Sequence, residues 1–142
     1  MSQTFFLDTN ILVYAQDIDN LPKQKIANSL IREALSSGQG LISSQVVQEF
    51  CNVSITKYNQ AMKASDLKEY LRVTLSRLWR HIPNLDFYYR SVELFERDSL
   101  NFYDALVIQA AIDLGCSKLY SEDLQDGRKF GNLTVTNPFT NI

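Results

Sequence analysis

Short apolar runs alternate with longer stretches of helical periodicity along the chain, and turn-forming residues fall between them. The triplet Phe5-Phe6-Leu7 is followed by Asp8-Thr9-Asn10 and then by Ile11-Leu12-Val13-Tyr14, a pattern that predicts a buried strand passing straight into a helix. Asp19, Asn20 and Pro22 supply cap and first-turn chemistry for a second helix, in which Ile26, Leu30, Ile31, Ala34 and Leu35 recur at helical spacing until Gly38 ends it. Residues 40–43 predict a second strand, and Ser44 caps a helix carrying Val46, Val47, Phe50, Val53 and Ile55. A further helix, begun by Ser65 or Asp66, aligns Leu67, Leu71, Leu75 and Leu78 in one stripe, with Lys68, Arg72, Arg77 and Arg80 largely off it.

Residues 82–87 contain Pro83 and predict a short edge strand, because proline cannot donate to a central ladder. Helices over 91–98 and 103–114 follow, the second closed by Gly115. A strand over 118–121, a turn-rich loop over 122–127 and a final strand over 133–136 complete the pattern. Strands alternating with helices imply an α/β fold with a mainly parallel sheet, since parallel strands need crossovers. In such sheets, chemistry gathers beyond the carboxyl ends of the strands.

Length and composition refine this picture. The 142 residues suit one compact domain, 1–142, and 45% hydrophobic with 21% charged residues is enough apolar material for a core. No apolar run approaches the ~20 residues of a membrane span, and no secretory signal opens the chain, so a cytoplasmic protein is expected. Cys51 and Cys116 lie in apolar helical patterns and are expected as buried free thiols. The formal charge of −2 argues against a long basic groove for nucleic acid, so any grip on a polynucleotide is expected to be local. The single histidine, His81, is expected at the surface or a strand edge, which makes a His-based triad or a multi-His zinc site improbable.

Four acids stand where this topology converges. Asp8 follows the first strand, Asp123 lies just past the strand over 118–121, and Glu49 and Asp104 sit in the earlier parts of helices. Singly, each has an ordinary reading: Asp8 as a cap, Asp104 as a dipole partner, Asp123 as a turn residue, Glu49 as an exposed helix residue. Together they pose an electrostatic problem, for two carboxylates ~4–5 Å apart repel by ~3–4 kcal/mol at an effective dielectric of ~20. A hard divalent cation, Mg2+ or Mn2+, held by oxygen ligands relieves that repulsion and brings hydrolytic chemistry with it.

Taken together, these segments resemble the PIN domain, and within it the VapC-type toxin ribonucleases of bacterial toxin–antitoxin pairs. The likeness is carried by residues 5–14 (FFLDTNILVY), 44–50 (SQVVQEF), 101–111 (NFYDALVIQAA), 119–123 (LYSED) and 133–139 (LTVTNPF). Tyr103 stands where relatives often carry Trp, and Ser121 where Thr is usual. The resemblance implies a three-layer α/β/α sandwich and endonucleolytic hydrolysis of RNA by a metal-activated water. It makes Asp8, Glu49 and Asp104 metal ligands, with Asp123 holding the metal or its water, while Glu122 or Asp126 remains an alternative to Asp123 or an aid to it. It also implies orienting roles for Thr9, Asn10 and Ser121, substrate contacts from Arg128 and Lys129 with Lys57 a weaker candidate, a homodimer and a cognate antitoxin. Two competing readings stay open: a catalytically silent PIN-like module that binds RNA or protein, and a Mg2+-dependent phosphotransfer protein. Against the second, Asp8-Thr9-Asn10 lacks the paired aspartates of an aspartyl phosphatase.

Overall fold

A computed structural model of the protein describes residues 3–57 and 61–142. In chain order the elements are β1 (Phe5–Leu7), α1 (Thr9–Ala15), α2 (Leu21–Ser37), β2 (Gly40–Ser43), α3 (Ser44–Thr56), α4 (Ala64–Tyr70), α5 (Ser76–Leu78), β3 (Trp79–His81), α6 (Leu85–Asp98), α7 (Phe102–Asp113), β4 (Lys118–Tyr120), β5 (Lys129–Phe130) and β6 (Leu133–Thr136). A π-helical turn, Leu71–Leu75, joins α4 to α5. The six strands form one sheet in the order β3-β2-β1-β4-β6-β5, parallel except for the antiparallel β5–β6 pair. The fold is the expected α/β/α arrangement around a mainly parallel sheet.

β1 lies at the centre because all three of its side chains are buried, as both faces of a central parallel strand must be. Its neighbours diverge, β2 on one side and β4 on the other, so the chain's direction of winding reverses at the carboxyl end of β1. That reversal opens a crevice between the loops above it. Phe6, Leu7, Ile11, Leu12, Ile42, Phe50, Ile108 and Leu119 form the fully buried centre of the core. From Ala105 to Ala111 every residue of α7 is buried, so this helix is apolar nearly all round and anchors whatever its first turn presents.

Two glycines are required where they stand. Gly38 closes α2 at φ 70°, with its N–H bonded to the Ala34 carbonyl, and glycine takes this left-handed conformation without strain. Gly40 opens β2 against α2 so closely that a Cβ there would lie 2.1 Å from Ala34 Cβ and 2.7 Å from Ala34 Cα.

Several boundaries differ from expectation. The strand expected over 82–87 is instead β3 at Trp79–His81, and α6 begins at Leu85 rather than near residue 91. Asn84 explains the early start, since its side chain accepts a hydrogen bond from Phe87 N at 2.8 Å and caps the helix. Ser43, not Ser44, caps α3, and α4 starts at Ala64 without a side-chain cap. β5 was not anticipated. His81 does occupy an edge strand, but it is buried, with Nε2 3.2 Å from Asp113 and its ring packed on Phe87. Both cysteines are free; Cys116 is buried, and burial pushes its thiol up to about 11, whereas Cys51, expected to be buried too, is only half-buried. Among the described residues no helix is long and apolar enough to cross a membrane.

Candidate active site

The crevice beyond β1 is a pocket of about 560 Å³, and Asp8, Glu49, Asp104 and Asp123 all line it. Each arrives by a different route. Asp8 is the N-cap of α1, and Oδ1 accepts the Thr9 N–H at 2.7 Å, so its capping role and its place in the pocket coexist. Glu49 projects from α3, Asp104 from the first turn of α7, and Asp123 from the loop after β4.

Neutral groups hold three of these carboxylates in place. Thr9 Oγ1 donates to Glu49 Oε1 at 2.7 Å, and Ser121 Oγ donates to Asp8 Oδ2 at 2.7 Å. Asn10 Nδ2 donates to Asp123 Oδ2 at 3.1 Å, while its Oδ1 accepts the Glu122 N–H at 3.3 Å. Thr9 and Asn10 directly follow Asp8, so α1 fixes two acids that lie far away in sequence. Gln45, one turn before Glu49, donates to Glu49 Oε2 at 3.4 Å and to the Tyr103 carbonyl at 3.3 Å, tying α3 to the start of α7. The sequence reading missed Gln45, although its spacing of four from Glu49 on one helix places them side by side.

The electrostatics are those of crowded acids. Burial pushes Asp8 up to about 6; the Ser121 and Thr9 hydrogen bonds pull against that rise, and the charges of Glu49 and Asp123 add to it. Asp104 is also raised, first by burial and then by Asp123 and Glu49. No Lys, Arg or His stands among the described residues lining the pocket. The donor set is all oxygen and anionic, which fits a hard divalent ion. Among the described residues no three acidic, His or Cys side chains stand close enough to cage an ion unaided.

Glu122 also lines the pocket, but it and Asp126 have partners of their own. Glu122 pairs with Lys23 and accepts from Tyr14 Oη at 2.5 Å. Burial alone would raise its carboxyl, but those two partners hold it below its usual range. Asp126 accepts from the backbone N–H of Asn137 at 2.8 Å and so closes a turn. Arg128 and Lys129 do not line the pocket: Arg128 donates to the Asp98 carbonyl at 3.1 Å and lies over the Phe130 ring, and Lys129 sits exposed in β5. Lys57 lines a neighbouring groove, 3.9 Å from Asp17.

Fold and pocket together define a parallel α/β domain with an acidic site at the point where strand order reverses. The sequence profile of the PIN domain matches residues 5–127, and the chain belongs to that family. A search of curated proteins returned no match. Among solved structures, the fold is similar to a toxin–antitoxin complex from Klebsiella pneumoniae (20% identity, 95% of this chain and 98% of that one, TM-score 0.64). It is similar too to VapC20 of Mycobacterium tuberculosis, described as a Sarcin-Ricin loop cleaving toxin (17% identity, 84% and 90%, TM-score 0.63). A third is VapBC2 of Rickettsia felis, bound to a DNA fragment from its promoter (22% identity, 95% and 98%, TM-score 0.60).

Proposed function

We propose that this protein is a metal-dependent endoribonuclease acting as the toxin of a toxin–antitoxin pair. The observation that carries the reading is the convergence of Asp8, Glu49, Asp104 and Asp123, from four separate segments and with Glu122 beside them, on one pocket whose described lining has no cationic side chain. The neighbour described as cleaving the Sarcin-Ricin loop supports it. Asp8, Glu49, Asp104 and Asp123 would hold Mg2+ or Mn2+. When bound, that ion supplies the positive charge the pocket lacks, acidifies water and neutralises charge on a phosphate. The chain's own contribution is orientation, with Ser121, Thr9 and Asn10 fixing Asp8, Glu49 and Asp123 respectively.

Cleavage of single-stranded RNA is expected only with millimolar Mg2+ or Mn2+. Asp104→Asn and Asp123→Asn are each expected to lower the rate at least a hundredfold, whereas Asp126→Asn, which keeps the oxygen accepting from Asn137, retains it. Gel analysis of labelled RNA checks this. Wild-type rates in the Asp104 variant, or loss confined to the Asp126 variant, would overturn the assignment.

A cognate antitoxin has a surface to occupy. A groove of about 560 Å³, lined by Phe50, Met62, Tyr70 and Val73, shares Val13 and Val53 with the acidic pocket. A segment lying there can pass a basic side chain to the carboxylates. The homodimer reading draws on α6, where Leu85, Tyr89 and Val92 form a second, exposed apolar stripe opposite the buried Phe87 and Leu94. Light scattering is expected to give twice the chain mass, and Val92→Asp to shift it to the monomer; a monomeric wild type at high micromolar concentration would exclude this dimer.

A further inference from the structure

Beside the acidic pocket lies a smaller cavity of about 160 Å³ at the junction of α3, α6, α7 and the β3–α6 turn. Gln45 and Tyr103 line both spaces, so the two share a wall. Phe87, Tyr88 and Pro83 give the smaller one flat apolar walls, and Ser44 and Gln48 give it polar ones. Its volume suits one planar ring system rather than a length of chain.

Two observations indicate what kind of ring. Tyr103, in the first turn of α7, is 64% exposed although α7 is buried from Ala105 to Ala111, so an aromatic face is left open to solvent on the wall that both cavities share. The carbonyl Oε1 of Gln45 is buried and has no hydrogen-bond partner. The orientation of that amide is determined: both atoms facing its nitrogen, Glu49 Oε2 and the Tyr103 carbonyl, are acceptors, so a flipped amide would set oxygen against oxygen. The carbonyl is therefore the atom left wanting a donor.

We propose that this cavity is a nucleobase subsite, in which an unpaired base next to the scissile phosphate stacks on Tyr103 and donates a ring or exocyclic N–H to Gln45 Oε1. Stacking on an exposed aromatic beside a phosphate-handling site is how single strands are commonly gripped. The ligand's identity as part of an RNA strand rests on the ribonuclease reading; the subsite itself can be tested apart from it. The chain has one tryptophan, Trp79, and its indole N–H donates to Ser44 Oγ at 3.0 Å and to the carbonyl of His81 at 3.1 Å, both residues of the cavity wall. The single indole cross-peak in a 1H–15N spectrum is thus a reporter on the cavity.

The four ribonucleosides, which carry no phosphate, are titrated into metal-free protein up to millimolar concentration while that peak is followed. At least one is expected to shift it saturably. Tyr103→Ala should weaken that binding about tenfold, in the lower part of the stacking range, while Tyr103→Phe keeps it. Gln45→Met should flatten the differences between bases. No response to any nucleoside, in protein that cleaves RNA, overturns the subsite and leaves the ribonuclease reading standing. A saturable shift that Tyr103→Ala weakens about tenfold, in protein that cleaves no RNA, supports the subsite and sinks the ribonuclease reading. A shift unchanged by Tyr103→Ala overturns the proposal.

Discussion

Asp8→Asn is expected to abolish RNA cleavage and, without metal, to make the protein more stable at neutral pH. Burial holds the Asp8 carboxyl at about 6, above its ordinary 3.8, so the folded state binds a proton more tightly than the unfolded chain. The sign follows. Stability falls as pH rises from about 4 through about 6, and above that the ionised group costs at most about 3 kcal/mol, since one pKa unit is ~1.4 kcal/mol. Asparagine does not titrate, yet its side-chain oxygen can still accept the Thr9 N–H. Urea denaturation in EDTA from pH 4 to 8 should therefore show a declining curve for the wild type and a flatter one for the variant. Adding Mg2+ should stabilise the wild type at pH 8 more than the variant, because the ion binds the native carboxylates. Parallel pH curves for the two proteins would show that Asp8 is not the strained group.

Gly40→Ala is the second large effect, and it lies outside the site. The added Cβ meets Ala34 Cβ at 2.1 Å, Ala34 Cα at 2.7 Å and Phe5 Cε2 at 2.9 Å. One of those atoms is backbone, so relief requires α2 to move off the sheet. Overpacking usually costs ~1–3 kcal/mol, and a clash against main chain belongs at the upper end, about 3 kcal/mol or a fall of roughly 10 °C in Tm. Calorimetry decides this; a loss under about 1 kcal/mol would mean that the contact between α2 and β2 yields easily.

How much of this was legible in the sequence depended on how local each cause was. β1 running into Asp8, the Asn20 cap and the Gly38 stop are set by neighbouring residues, and all stand as expected. The region from Trp79 to Arg90 was misread because propensity and tertiary context disagree there. Phe87-Tyr88-Tyr89 resembles strand material, yet Asn84 caps a helix through it, and Ile82, apolar in sequence, is 70% exposed. β3 has two of three residues exposed and carries no alternation to read. The convergence of the four acids followed from topology alone. The partners of Glu122 did not: Tyr14 and Lys23 lie about a hundred positions away, and nothing near Glu122 marks it as already paired. Arg128 was placed by its nearness to Asp123 in sequence, but the turn closed by Asp126 leads it toward Asp98 instead.

The two borders of the sheet, β3 and β5, are three and two residues long, and β5 runs against its neighbour. Borders so brief present few free amide and carbonyl groups to a visiting chain, which disfavours extension of the sheet from one molecule into the next. Any self-association of the kind proposed would thereby be left to side chains on helical surfaces, where a single charged substitution can reverse it without disturbing the strands beneath.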